Sequence, residues 1–366
     1  MPAKIYLWLR NRTFMKKLFV LALIALVSCK GEKQQNQEPV QRERTTFTQV
    51  RAEPLLQDSI SIRAIQMMGS AVAFAGSKGV YGLFTEGQGS VRYSQQEYQG
   101  SLPEFRAVAS TTNDFFMLSA GSPALLYKTG DTGKMELVYQ ETHQKAFYNS
   151  MIFWNDQEGI AVGDAVEDCL SIIITRDGGN TWNKLDCSKL PQTIEGEVAF
   201  AASNSNIALE GEHTWIVTGG SVSRVHYSPD KGKSWEVFDT PLIQGEPTQG
   251  GYSIDFYDEN HGIIFGGDYT NPEGNTGNKA VTSDGGRTWQ LVSDGEGPGY
   301  KSSVVYVPNA GGQEILATGF TGIAYSKDAG KTWEEISQEG FYTLRFANDT
   351  LAYAGSATGL TRLILN

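Results

Sequence analysis

The chain has 366 residues, 40% of them hydrophobic, and a formal net charge of −11. Residues 1–28 hold five Lys/Arg and no acid, which leaves 25 basic against 41 acidic groups in residues 29–366, a net −16. An acidic body without a basic stripe argues against nucleic acid as a partner and against electrostatic docking to anionic lipid.

The first segment reads as a targeting signal rather than structure. Met15-Lys-Lys17 is a positive start, and residues 18–27 are an apolar run of ten, short for a membrane span. Leu26-Val-Ser-Cys29 follows and resembles a bacterial lipobox. That resemblance implies a signal peptide over 1–28 and a lipidated Cys29 as the mature N-terminus; the alternative is an ordinary cleaved signal with an incidental cysteine. Met15 is the more usual kind of start, so 1–14 reads as an upstream extension. Residues 29–44, rich in Gln, Glu and Lys, read as a flexible tether. The chain is expected in a bacterial cell envelope, meeting the membrane only through its anchor.

Residues 45–366 are expected to form one domain. Thr45-Thr-Phe-Thr-Gln-Val50 alternates as a strand should. First strands such as Met151-Ile-Phe-Trp-Asn-Asp156 are followed by glycine-ended second strands such as Gly159-Ile-Ala-Val-Gly163. Short strands, Gly-rich turns and no helical period predict an all-β fold. Four copies of [Ser/Thr]-x-Asp-x-Gly-x-[Ser/Thr]-Trp run through the second half, with aspartates at Asp177, Asp230, Asp284 and Asp328 and tryptophans at Trp182, Trp235, Trp289 and Trp333. Their spacings are 53, 54 and 44 residues, a period typical of propeller blades. A degenerate copy at Asp131 and a fainter one at Gly87 extend the series upstream to six hairpins. A seventh unit without the pattern has three strands before the chain stops at Asn366. Residues 45–50 supply its missing outer strand, which closes the ring without a free edge. The prediction is a seven-bladed β-propeller.

The pattern resembles the Asp-box, or bacterial neuraminidase repeat, found at hairpin tips in propellers. Its residues suit a turn. The carboxylate accepts from backbone N–H groups, the glycine supplies positive φ, and the Trp packs between blades. The boxes are read as structural, not catalytic. A calcium loop is excluded because the D-x-D-x-D-G spacing and closing Glu are absent.

Cys169 and Cys187 lie symmetrically about residue 178 in a hairpin turn. A simple register places them face to face, and a disulfide is expected; two free thiols are the alternative. The four histidines show no metal-ligand spacing, and no G-x-S-x-G or phosphate-binding motif occurs. No catalytic residue, metal or cofactor is assigned.

Over about residues 58–366 the chain is similar to the single-propeller photosystem II stability and assembly factor family. The similarity rests on first strands like Phe105-Arg-Ala-Val108 and Ile62-Arg-Ala-Ile65, Gly-x-x-x-Gly second strands and the D-G-G-x-T-W box. It implies a non-enzymatic scaffold that holds a partner protein. Sortilin-type propellers share the box and bind peptides. Sialidases share it too, but their Arg-Ile-Pro-type motif is missing here.

Propellers bind ligands mostly at one mouth of the central channel, where first strands begin. The first-strand entrances read as Arg63, Arg106, Tyr148, Glu197, Tyr252, Tyr300 and Tyr342. The 267–279 loop, with Asp268 and Tyr269, and the 163–168 loop, with Asp164, are placed at the same mouth. Arg and Tyr give area and directed hydrogen bonds together. The expected partner is a protein or peptide bound by a monomer. A glycan bound or hydrolysed at the same mouth is the alternative, and hydrolysis there needs a pair of carboxylates.

Overall fold

Seven antiparallel blades of four strands succeed one another along the chain, the fifth extended by two short strands and the last completed by a strand from the N-terminal side. The computed structural model describes residues 46–366, and these form a seven-bladed β-propeller whose helical content is two short 3-10 turns. The predicted signal peptide, tether and lipidated Cys29 lie outside the described residues. Blade 1 runs through Ile62–Met68, Ala71–Gly76, Val80–Thr85 and Arg92–Gln95. The innermost strands of blades 2, 3, 5, 6 and 7 are Phe105–Ser110, Tyr148–Phe153, Gln249–Phe256, Ser303–Tyr306 and Thr343–Phe346.

Blade 7 is closed from the N-terminal side, by a strand five residues later than predicted. Val50–Gln57 pairs with Gly359–Leu365, from Val50 opposite Leu365 to Gln57 opposite Gly359. Residues 46–49 lie outside the ladder, although Phe47 is buried and packs on Tyr325 at 5.2 Å between ring centroids.

Blade 4 departs further from expectation. Its innermost strand is Ile207–Glu210. Glu197, the predicted entrance, instead sits in a two-residue strand, Glu197–Val198, paired with Gly219–Gly220 beside blade 5. The cause is the excursion of residues 185–206, which leaves blade 3, makes a 3-10 turn at Cys187–Lys189 and crosses the ring before blade 4 begins.

The core lies between neighbouring blades. Phe116 of blade 2 stacks on Phe153 of blade 3 (4.7 Å) and meets Trp182 edge-on (6.4 Å). Trp215 of blade 4 stacks on Phe256 of blade 5 (3.7 Å) and donates to Gly285 O (2.8 Å). Each of the four repeated turns carries the same bonds. Asp177 Oδ1 accepts from Thr181 N (2.9 Å), its Oδ2 from Thr181 Oγ1 (2.7 Å), and Trp182 Nε1 donates to Gly179 O (3.2 Å). Asp230, Asp284 and Asp328 repeat this with Ser234, Thr288 and Thr332, and Trp235, Trp289 and Trp333 close the turns. Gly179 has φ +79, and a Cβ there would lie 2.2 Å from the Phe116 ring, so the position needs glycine twice over.

The degenerate turn at Asp131 lacks this network. Asp131 is exposed, and Thr129 Oγ1 donates instead to Asp114 Oδ1 (2.9 Å). A disulfide joins Cys169 and Cys187, with Cα atoms 5.6 Å apart. The ladder pairs Ile173 with Lys184, which sets Leu170 rather than Cys169 against Cys187. The bond therefore forms beyond the ladder, where the 3-10 turn begins.

Candidate functional site

Inner strands begin at one end of the ring, and the antiparallel order of each blade places the repeated turns at the other. In blade 3, Tyr148 lies opposite Gly163, whereas Phe153 lies opposite Gly159 and Gly159 opposite Thr175, which leads into the Asp177 turn. Four inner strands share a device at the mouth end. Their registers shift between Ile62 and Ala64, Phe105 and Ala107, Tyr148 and Ser150, and Gly251 and Ser253. The residues stepped over are Arg63, Arg106, Asn149 and Tyr252. A β-bulge re-aims a side chain, and Arg63, Arg106 and Tyr252 all line one mouth pocket of about 510 Å³.

The bulge explains why Tyr148 is not at the mouth. The equivalent residue of blade 3 is Asn149, one position on, and a one-residue slip sends a side chain to the other face. Tyr148 is buried between blades 2 and 3, where its hydroxyl donates to Glu141 Oε2 (2.8 Å). Glu197 is absent from the mouth as well. It is buried in an ion pair with Arg224 Nη2, and its Oε1 meets His226 Nε2 at 2.9 Å and Thr218 Oγ1 at 2.8 Å. Burial works to raise its pKa, but the bonds from His226 and Arg224 outweigh it and hold the carboxyl at about 2.

The channel itself is filled by residues 199–206. Arg63 Nη1 donates to Ala202 O (3.4 Å) and Arg106 Nη1 to Ala201 O (3.2 Å). Ser203 Oγ donates to Ser302 O of blade 6 (2.6 Å), while Thr343 Oγ1 of blade 7 donates to Ser203 O (2.8 Å). Asn204 Nδ2 donates to Val108 O of blade 2 (2.8 Å), and its Oδ1 accepts from Met151 N of blade 3 (2.9 Å). Ser205 O accepts from Ile254 N of blade 5 (2.9 Å). This plug thus touches every other blade and forms the floor of the mouth pocket. Sequence reasoning missed it, though the 53-residue interval between Asp177 and Asp230 is long by about one such segment.

One side of the pocket is aromatic. Phe200 of the plug stacks flat on Tyr252 (3.9 Å), Tyr300 meets Tyr252 edge-on (4.8 Å), and Tyr269 and Phe320 approach Tyr300 at 6.4 and 5.4 Å. Tyr342 lies under the Arg63 guanidinium at 3.7 Å, a cation–π distance. The arginines form the other side. Among the described residues neither Arg63 nor Arg106 makes an ion pair, and burial, with Arg63 nearby, lowers the Arg106 pKa. Asp164 is the one carboxylate lining the pocket. It accepts from Asn149 Nδ2 and Ala199 N, both at 2.9 Å, and burial nevertheless raises it to about 6. Asp268 is turned inward on its own loop by Thr270 N (2.9 Å) and does not line the pocket. No group of three or more His, Cys, Asp or Glu among the described residues is placed to hold a metal ion.

No family model and no curated protein matches the sequence. Solved structures do match the backbone. The chain superposes on YCF48 bound to D1 peptide with a TM-score of 0.63 at 12% identity, over 88% of this chain and 98% of that one. The likeness is one of fold. It extends equally to the virginiamycin B lyase of Staphylococcus aureus (TM-score 0.64, 10% identity, 87% and 100% covered) and to the WD40 repeats of RRP9 (0.59, 11%, 87% and 98%). Neighbours this diverse share a ring of blades, and the function has to be argued from the mouth.

Proposed function

We propose that this protein is a non-enzymatic, lipid-anchored propeller of a bacterial envelope that holds a segment of a partner protein at the channel mouth. The observation that carries the reading is the pair Arg63 and Arg106, half-buried beside aromatic rings and in no direct ion pair with a carboxylate among the described residues. Guanidiniums in that state favour a ligand that supplies the missing anion. The plug supports a surface grip rather than a threaded channel. The YCF48 structure, which holds a D1 peptide, supports peptide as the ligand class, and the four repeated turns support assignment to the Asp-box propellers. Glycoside hydrolysis is the weaker reading, because it uses two facing carboxylates and the pocket is lined by Asp164 alone.

The test is photo-crosslinking in the native envelope. A crosslinking residue at Phe320, on the mouth, is compared with one at Lys331, beside the Asp328 turn at the other end of the blade. A discrete protein adduct at 320, absent at 331 and lost on Arg63→Ala/Arg106→Ala, is expected. Equal labelling at both positions, or none at 320, overturns the reading.

A further inference from the structure

Tyr252 and Tyr300 are buried and already packed, but the two rings flanking Tyr300 are not. Tyr269 is 47% and Phe320 45% exposed. They stand on separate loops of blades 5 and 6, and both approach Tyr300, at 6.4 and 5.4 Å between ring centroids. Phe320 sits at the tip of the hairpin joining Ile315–Gly319 to Gly322–Ser326, a place where turn-forming polar residues are the rule. Apolar area left in water on two neighbouring loops is area available to a ligand. Across the pocket stand the two guanidiniums, and the 510 Å³ between them is room for two or three residues of an extended chain.

The geometry points to a two-part specificity site: a large apolar side chain of the partner enters between Tyr269 and Phe320 against Tyr300, while a carboxylate one or two residues away pairs with Arg63 and Arg106. This rests on the peptide-binding reading above and adds to it the chemical class of the segment, an acidic–aromatic or acidic–aliphatic dipeptide unit. Neither half suffices. An acidic ligand alone leaves the rings wet, and an apolar one alone leaves two desolvated guanidiniums unpaired, which carries its own cost.

The test is a binding cycle between peptide and protein. Eight-residue peptides carry Phe or Ser at one position and Glu or Gln two residues away, and are titrated by fluorescence anisotropy against the full chain and against Tyr269→Ala/Phe320→Ala. Both substituted side chains are exposed, and an unchanged thermal transition verifies that the fold is retained. Phe in place of Ser is expected to tighten binding by about 10- to 100-fold, the worth of burying one such side chain. In the variant that gain should collapse to within about threefold, while the Glu-over-Gln preference persists. If peptides bind but Phe and Ser are equivalent, the anchor pocket is refuted and peptide binding stands. If the Phe preference survives in the variant, the pocket lies elsewhere and the assignment is wrong. If no peptide binds, the inference falls, and the crosslinking experiment decides independently whether the mouth holds a protein at all.

Discussion

Replacing Asn204 tests whether residues 199–206 are structural in the way their contacts imply. The residue is 3% exposed and has φ +56. Its amide bridges Val108 O and Met151 N, and its carbonyl accepts from Arg345 Nη2 at 2.8 Å. Asn204→Ala leaves one carbonyl and one N–H buried without partners, at about 1–3 kcal/mol each. Alanine at positive φ adds about 1–2 kcal/mol that asparagine largely avoids. The expected loss is therefore about 3–8 kcal/mol, against a typical total of about 5–15. Asn204→Gly separates the two causes. It loses the same hydrogen bonds and accepts the backbone freely, though it adds unfolded-state entropy of about 0.5–1 kcal/mol. It should be about 0.5–1 kcal/mol less damaging than alanine. Urea unfolding followed by tryptophan fluorescence reads both, at constant m. An alanine variant within 1 kcal/mol of wild type refutes the plug as a hub of the ring. Glycine worse than alanine refutes the backbone part of the argument.

Three further outcomes follow from the same structure. Asp164 is raised to about 6 by burial, so the folded state binds its proton more tightly than the unfolded chain; this group's penalty is full above pH 6 and fades as pH falls towards 4. The melting temperature of Asp164→Asn relative to wild type should thus be higher at pH 7.5 than at pH 4, and a difference flat with pH contradicts the burial of that carboxyl. Asp284→Ala removes bonds from Thr282 Oγ1, Thr288 N and Thr288 Oγ1 and should cost about 1–3 kcal/mol in urea unfolding, whereas Asp131→Ala should stay within about 0.5; equal effects would mean that the turn network carries no stability. Cys169→Ser/Cys187→Ser opens a loop of sequence separation 18 and should lower stability by about 3 kcal/mol, and the double variant should be insensitive to added reductant where wild type is not.

The blade number was legible because four hairpins repeat a turn chemistry at a regular spacing, fainter copies extend that spacing upstream, and the last unit visibly lacks a strand. The identity of that strand was less so. The 45–50 segment alternates cleanly, but Val50–Gln57 contains Pro54, which cannot donate to a ladder. The structure tolerates it because the strand is the outermost of its blade and its register shifts between Pro54 and Leu56. The mouth was legible in part. Arg63, Arg106, Tyr252, Tyr269, Tyr300, Tyr342 and Asp164 come together around one pocket, whereas Tyr148, Glu197 and Asp268 do not. The first two have one kind of cause: a bulge shifts by a single residue which side chain looks into the channel, and an excursion delays a blade by about ten. Neither changes hydrophobic periodicity, so neither leaves a trace in the pattern from which strands are read. Phe200 and Phe320 were missed for a related reason, since their place in the pocket comes from loop paths.

The plug also bears on how a mouth with two unpaired arginines can persist in a body of net charge −16. Arg63 and Arg106 spend one N–H each on plug carbonyls, and Arg63 lies on Tyr342. These neutral partners fix the guanidiniums in place without cancelling their charge, which a carboxylate would do. Asp164, the one carboxylate lining the pocket, accepts from Asn149 and Ala199 instead of pairing with either arginine, while Glu104 acts on Arg106 through space without an ion-pair contact. The result is a small, rigid positive site inside a negative surround. Such a field repels extended polyanions at a distance and rewards a single anionic group that can reach the floor. Preorganisation of this kind lowers the ordering cost of binding. It also means that the arginines are oriented by the same segment that ties the blades together, so a plug variant that still folds should weaken ligand binding even though Asn204 does not line the pocket.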